Sequence, residues 1–527
     1  MTKASGFPTR AVIAVGILSL QYFTPQPAHA ACAFSPGPGD DTFVCDSGTS
    51  TAGLTDLQGN NRLTLPAGGT GTINGPVTFG AGADRILIDA GIILGAVQQG
   101  AGIDDFVMNG GRIVSLAQGD GLDTFLMTGG VIEREFVDGD VARQTGGTIG
   151  RVDMKLDDNV YEMTGGEILG NLVTGFGKDR VDISGTGSVG GNISTSGGDD
   201  IITVSGGVIK GEIRASFGND TFIWRNGGAI QSSVLMGDGD DTALLSTLDE
   251  SRLAATPSID GGLGNDQLTF DNTTSSTPTR YVGWETVNLN NASRFALAGD
   301  FFLGDSASNT GTFNIDGSST LAVSQGAIRP YTAGQLATLN NAGTIDMTTD
   351  NSANSSLTVH GNYVGNNGQL WLQSALGDDN SATDKLVVSD GIIGGHTRLG
   401  VTNLGGAGGL TQNSGIEVVQ ALNGTTSSAD AFALQGSVSA GAYEYRLFKG
   451  GVTAGTENNW YLRSSVVAVQ PPVVPPVPPT PPVVVPVAQI TPTPPVVDPD
   501  EPAVEPPTAQ PVAPIEPAVP PPSQVAA

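Results

Sequence analysis

A unit of about 20 residues recurs from residue 80 onward, and this repeat restricts the possible folds more than any other feature of the chain. Each copy holds a Gly-x-Gly-x-Asp turn, an alternating strand, a Gly-Gly turn and a second alternating stretch. GAGIDDFVMNGGRIVSL from residue 100 and GDGLDTFLMTGGVIERE from residue 119 are two examples. The aligned aspartates are Asp84, Asp104, Asp123, Asp140, Asp158, Asp179, Asp200, Asp220, Asp241 and Asp266, with Asp41 in a truncated first copy. The Asp140 and Asp158 copies lack the flanking glycines. Alternation at period 2 turns one face of each strand inward. One coil cannot bury that face alone, so coils must stack, with parallel strand neighbours ~4.8 Å above and below. The expected fold is all-β, a right-handed parallel β-helix of about 20 residues per coil. Phe125, Ile202 and Phe222 should share one interior column. The aspartates should cap amides of their own turns. Beyond residue 270 the period loosens, but Trp284–Leu289 and Gly311–Ile315 still read as strands.

Composition agrees with that reading. The 527 residues include 76 glycines, and each glycine in a helix would cost ~1 kcal/mol relative to alanine. The net charge of −29 argues against nucleic acid, because phosphate recognition needs clustered Lys and Arg. Residues 1–30 read as a signal peptide. Lys3 and Arg10 form a basic start, Ala11–Leu20 is an apolar run too short to span a bilayer, and cleavage is expected after Ala30. No later stretch is long and apolar enough for a transmembrane helix. Export leads to an oxidising compartment, so Cys32 and Cys45 are expected to form a disulfide that staples the N-terminal end.

The chain divides into a signal peptide (1–30), β-helix repeats (31–355), a C-terminal cap (356–465) and a Pro-rich, disordered linker (466–527). A solenoid end exposes apolar core and open strand edges, so a cap is required there. Aromatics concentrate in the cap at Trp371, Tyr443, Tyr445, Phe448, Trp460 and Tyr461. Its ordered motifs are Gly361-Asn362-Tyr363, Gly377-Asp378-Asp379, Thr383-Asp384-Lys385-Leu386, Tyr443-Glu444-Tyr445 and Trp460-Tyr461-Leu462. Over roughly 110 residues this segment resembles the pertactin-like autochaperone segment of autotransporters. The resemblance implies that this end folds first outside the cell and that coils then add onto it. It also implies a partner, an outer-membrane β-barrel translocator. No run of alternating barrel strands follows the linker here. The linker, as in QPPVVPPVPPTPPVVVPV, suits an extended polyproline spacer.

Catalytic and metal chemistry leave few traces. Gly261–Thr269 matches one nonapeptide of the repeats-in-toxin type, which makes Asp240, Asp241 and Asp266 calcium candidates. A hard cation needs 6–8 oxygens, and the motif occurs only once per coil, so no cofactor is expected beyond that candidate. Gly304-Asp305-Ser306 and Cys45-Asp46-Ser47-Gly48 echo hydrolase nucleophile blocks, but each lacks a suitably placed histidine base. His360 and His396 are the only histidines after residue 30. A polysaccharide-acting enzyme on the same scaffold and a calcium-binding surface repeat are the alternatives. The leading expectation is a non-enzymatic passenger exported through the periplasm to the outer membrane and cell surface. It would serve as an adhesin or stalk for a host or cell-surface glycan or protein.

Overall fold

The computed structural model describes residues 32–466. The expected signal peptide with its Ala30 cleavage site, and the Pro-rich linker beyond residue 466, lie outside the described residues.

The described chain is a stack of parallel coils. Thr42–Val44 pairs with Arg62–Leu65, which pairs in turn with Arg85–Ile88 and then Asp105–Met108, all in parallel. Apart from the four-residue helix Glu250–Leu253 and the 3-10 turn Pro278–Arg280, the regular elements among the described residues are strands. The helix insertion is locked by Arg280, whose guanidinium meets Glu250 at 2.6 Å and is almost fully buried.

Register turns the period-2 alternation into interior columns. One of them passes through Phe106, Phe125, Ala142, Tyr161, Val181, Ile202, Phe222, Ala243 and Leu268, each the Cα partner of the next. The same column continues through Val287, Phe313, Leu339, Tyr363 and Ile393. Phe125, Ile202 and Phe222 therefore share one interior position, and all three are buried. Phe106 and Phe125 stack at 5.7 Å with nearly parallel rings.

The corner glycines are fixed by a close approach of backbones. Gly218 has φ +126, and a Cβ placed there would lie 1.8 Å from the Gly198 carbonyl oxygen of the preceding coil. Gly239 and Gly264 repeat the arrangement one and two coils later. Only glycine combines that φ with that contact.

The aspartates depart from the sequence expectation. Asp41 accepts the Gly37 amide of its own turn, but the later inner aspartates bond between coils instead. The Asp84 amide donates to the Asp104 carboxylate at 2.7 Å, and the Asp104 amide to Asp123 at 2.8 Å. The ladder resumes with Asn159 to Asp179, then to Asp200, Asp220, Asp241 and Asp266. Glu285 takes the last place, accepting the Asp266 amide. Asp158 is exposed and does not belong to this ladder; its neighbour Asn159 is the buried member, with its Nδ2 donating to three carbonyls. The reason is steric parity: only every second side chain points inward. A parallel outer ladder uses the preceding residue of the turn, as where the Asp240 amide donates to Asn219 and the Asn265 amide to Asp240.

In most inner aspartates one carboxyl oxygen takes this amide, while the other is buried without a partner. Burial, reinforced by neighbouring carboxylates and only partly opposed by the amide, pushes Asp104 and Asp220 up to about 7. Asp200 and Asp241 rise to about 6 and Asp266 to about 8 for the same reason.

Candidate functional site

The C-terminal end is where the pattern changes. Parallel pairing passes without a break across residues 355 and 356: Thr320–Pro330 pairs with Ser356–Ser374, which pairs with Lys385–Asn403. Antiparallel pairing between strands begins only with Ile416–Leu422, which pairs with Trp460–Val466. Tyr443–Lys449 adds to Trp460–Val466, and Val438–Ala440 adds to Tyr443–Lys449. The hairpin of Val438–Ala440 and Tyr443–Lys449 closes through Gly441-Ala442, with Gly441 at φ +57. Glycine at the first central position suits a two-residue hairpin turn. Antiparallel strands end the stack, because a returning strand covers the edge that a further parallel coil would otherwise need.

Aromatic side chains tie this cover to the last coils. Tyr363 is fully buried and stacks on Phe432 at 5.8 Å; Phe432 meets Trp460 edge-to-face at 5.4 Å. The Tyr363 hydroxyl bonds Thr397 at 2.9 Å, and the Trp460 indole donates to Ser427 at 2.9 Å. Tyr445 is buried, and its hydroxyl donates to the Gly377 carbonyl at 2.8 Å while accepting the Gly409 amide at 3.0 Å. Tyr443 is half-buried against the core. The Tyr461 hydroxyl donates to Glu417, whose other oxygen holds Lys385 at 2.7 Å. Phe448 differs from the rest: it faces outward, beneath the Arg463 guanidinium.

Carboxylates fix the connecting loops. Asp379 accepts the amides of Gln412, Asn413 and Gly415 at 2.6, 2.9 and 2.7 Å. Burial alone would raise its carboxyl, but the three amides together hold it below the usual range. Asp384 is fully buried between the amides of Ser355 and Gln373; burial outweighs those bonds and pushes it up to about 6. Asp378 is exposed and accepts only the Asn380 amide of its own turn. Gly361 has φ +140 and packs so close to Ala337 that a Cβ would lie 2.0 Å from its carbonyl oxygen. Asn362 joins neighbouring coils, donating to Thr338 and accepting the Ile392 amide.

The other candidates are scattered. Cys32 and Cys45 are bonded, with Cα atoms 4.3 Å apart, beside the edge-to-face pair Phe34 and Phe43. The calcium candidates divide between two faces: Asp240 is exposed in the outer ladder, whereas Asp241 and Asp266 point inward. Among the described residues no group of three or more His, Cys, Asp or Glu side chains is disposed to hold a metal ion. Ser306 is exposed and hydrogen-bonds neither histidine; His396 Nδ1 instead meets the Asp430 carbonyl. Among the described residues no helix is long and apolar enough to cross a membrane.

A stack of parallel coils closed by an antiparallel cover defines a parallel β-helix with a built cap. Residues 334–447 match the family described as Autochaperone Domain Type 1. Adhesin BmaC autotransporter of Brucella suis is 39% identical over 194 residues, which are 35% of this chain and 6% of that protein. Autotransporter adhesin AIDA-I of Escherichia coli is 39% identical over 118 residues, 22% of this chain and 9% of that protein. The solved Haemophilus influenzae Hap adhesin aligns with 80% of this chain and 64% of its own at 13% identity and a TM-score of 0.35. The chain thus spans less than a tenth of the length of the two curated relatives. Over part of its length the chain is similar to autotransporter passengers, and the autochaperone match lies at the C-terminal end of its coils.

Proposed function

We propose that this passenger is carried across the outer membrane through a β-barrel translocator and displayed at the cell surface, where it acts as an adhesin. In this reading residues 1–30 direct export, the coils of 31–355 form the displayed body, and 356–465 nucleate the stacking of those coils during translocation. The Pro-rich segment 466–527 serves as a spacer. One observation carries the proposal: the residues that match the autochaperone family, 334–447, include the last parallel coils and the side chains Tyr363, Asp379, Phe432 and Tyr445 that join them to the antiparallel cover. A preformed cover gives each arriving coil a ready strand edge, so every addition buries apolar surface without a new nucleus. Names of the relatives support adhesion as the displayed activity.

The test is pulse proteolysis of the refolding chain, with fragments identified by mass. Protection of 356–466 is expected before protection of the coils around residue 100. Earlier protection of the N-terminal coils sinks the nucleation role. Binding of the purified passenger to cultured host cells tests adhesion separately.

A further inference from the structure

Most aromatic side chains among the described residues are buried, but Phe302 and Tyr331 are 44% and 53% exposed and line the same groove. The groove measures about 270 Å³ and is also bordered by Arg329, His360, Gln335 and Asp390. It is built by coil stacking. Phe302 is the register partner of Arg329, and the next coil places His360 beyond Arg329, since Ile328 pairs with Val359. Asp390 follows on the fourth strand, opposite Gly361. The far wall is the turn after Pro330. It is pinned at its start by the Tyr331 amide on the Leu303 carbonyl at 2.8 Å and by Thr332 on Asn309, and at its other end by the Thr310 hydroxyl on the Leu336 carbonyl at 2.7 Å.

The polar groups of this groove are only partly engaged. Asp300 meets Arg329 at 2.8 Å and neutralises it, whereas Asp390 bonds only the neighbouring Ser389 hydroxyl and no cation. His360 Nε2 is buried without a hydrogen-bond partner. Burial and the nearby Arg329 both push its imidazole down from the usual range, which favours the neutral ring. A buried unpartnered ring nitrogen is uncommon and calls for a partner from outside the chain. The local charge is one uncompensated carboxylate, in a protein whose net charge is −29. Anionic ligands are therefore disfavoured. What fits is a compact neutral molecule with an apolar face for the aromatic rings and several hydroxyls for the carboxylate, guanidinium and imidazole. The volume is just under the ~300–1,000 Å³ of small-molecule sites, enough for one ring unit with its neighbours in solvent.

We propose that this groove binds one residue of a neutral saccharide, stacked on Tyr331 and Phe302 and hydrogen-bonded by Asp390, Arg329 and His360. The proposal names a ligand class for the adhesion reading and rests on that reading for its biological purpose. Orientation follows from the geometry. Asp390 accepts two adjacent hydroxyls, and Arg329, held by Asp300, donates to a third. The neutral His360 ring can donate or accept at Nε2, which suits a hydroxyl better than an ion. Tyr331 supplies contact area at little entropic cost, because its side chain has few rotatable bonds.

The experiment is saturation-transfer NMR with the full chain, using lactose, methyl α-mannoside and N,N′-diacetylchitobiose as neutral probes. Sialyllactose and a hexalysine peptide serve as charged comparators. At least one neutral probe is expected to bind. Its affinity should fall at least tenfold in Tyr331→Ala and in Asp390→Asn, with thermal unfolding unchanged. Asn tolerates the left-handed backbone at position 390, where φ is +71, so that variant keeps its fold. Absence of binding by all neutral probes overturns the proposal, as does binding that survives Tyr331→Ala or binding of hexalysine alone. Host-cell attachment separates this proposal from the adhesion reading. If wild type and Tyr331→Ala attach equally, the groove is wrong and adhesion stands. If neither attaches but saccharide binding is lost in Tyr331→Ala, adhesion is wrong and the groove stands.

Discussion

The carboxylate of Asp241 accepts the backbone amide of Asp220 at 2.7 Å, although the two residues lie a full coil apart in sequence. The bond makes each inner aspartate a rung between coils, and it also brings carboxyl groups into a buried file. Linkage gives the sign of the consequence. Asp104, Asp200, Asp220, Asp241 and Asp266 have folded-state values raised to between about 6 and about 8, above the ordinary carboxylate range. The protonated form is therefore favoured by folding. The stability it contributes is fully present below about pH 4 and is lost as pH rises through 6 to 8. Carboxylates held low, such as Asp379, act in the opposite direction below about pH 4. The midpoint of thermal unfolding should therefore be higher at pH 5.5 than at pH 8.5. A flat or rising profile over that interval would contradict the ladder's role.

Substitution at one rung isolates the effect. Asn61 already occupies an inner position, where its Oδ1 accepts the Asp41 amide at 3.2 Å and its Nδ2 donates to the Gln58 carbonyl. Asp220→Asn should accordingly raise stability at pH 8.5, raise it less at pH 5.5, and so reduce the pH slope. Asp220→Ala also removes the acceptor that the Asp200 amide uses at 2.8 Å, and should be ~1–3 kcal/mol less stable than Asp220→Asn at either pH. Urea unfolding at the two pH values measures both.

The sequence carried the coil period, the all-β class and the interior column, because alternation and stacking are both translations along the chain. Phe125, Ile202 and Phe222 could be assigned to one column from spacing alone. The aspartate ladder was less legible. A Gly-x-Gly-x-Asp turn looks the same whether its carboxylate bonds its own turn or the next coil, and only register distinguishes the two. Asp158 was misassigned because that copy lacks its glycines; the buried neighbour Asn159 also fits an Asp/Asn position. The groove beside Tyr331 could not be read at all, since Phe302, Arg329, His360 and Asp390 come from four separate strands. Coil lengths also vary in this region, so no fixed period aligns them.

Register also separates two phenylalanines only five positions apart. Phe222 is fully buried in the column, whereas Phe217 is 63% exposed on a corner. Phe222→Ala removes a ring from a close-packed interior and should cost ~3–5 kcal/mol, while Phe217→Ala should stay within about 0.5 kcal/mol. Chemical denaturation of the two variants checks the difference. Comparable losses would mean that Phe217 is packed in the interior as Phe222 is.

The cap predicts a kinetic rather than a purely thermodynamic effect. Trp460 reaches the last coils through Phe432 and Ser427, and Asp379 fastens three loop amides that carry the chain toward the antiparallel cover. If this segment forms the nucleus, its contacts exist in the transition state, and removing them slows folding more than it speeds unfolding. Trp460→Ala and Asp379→Ala should lower the refolding rate at least tenfold and lower the yield of protease-resistant chain. On the same condition Ile86→Ala, a core substitution far from the cap, lies in a coil that forms after the nucleus. It should act mainly on unfolding, although Ile86 is just as buried. Stopped-flow refolding and unfolding from the same denaturant series distinguish the two patterns. Equal partitioning of all three variants would show that the coils nucleate without help from the cap.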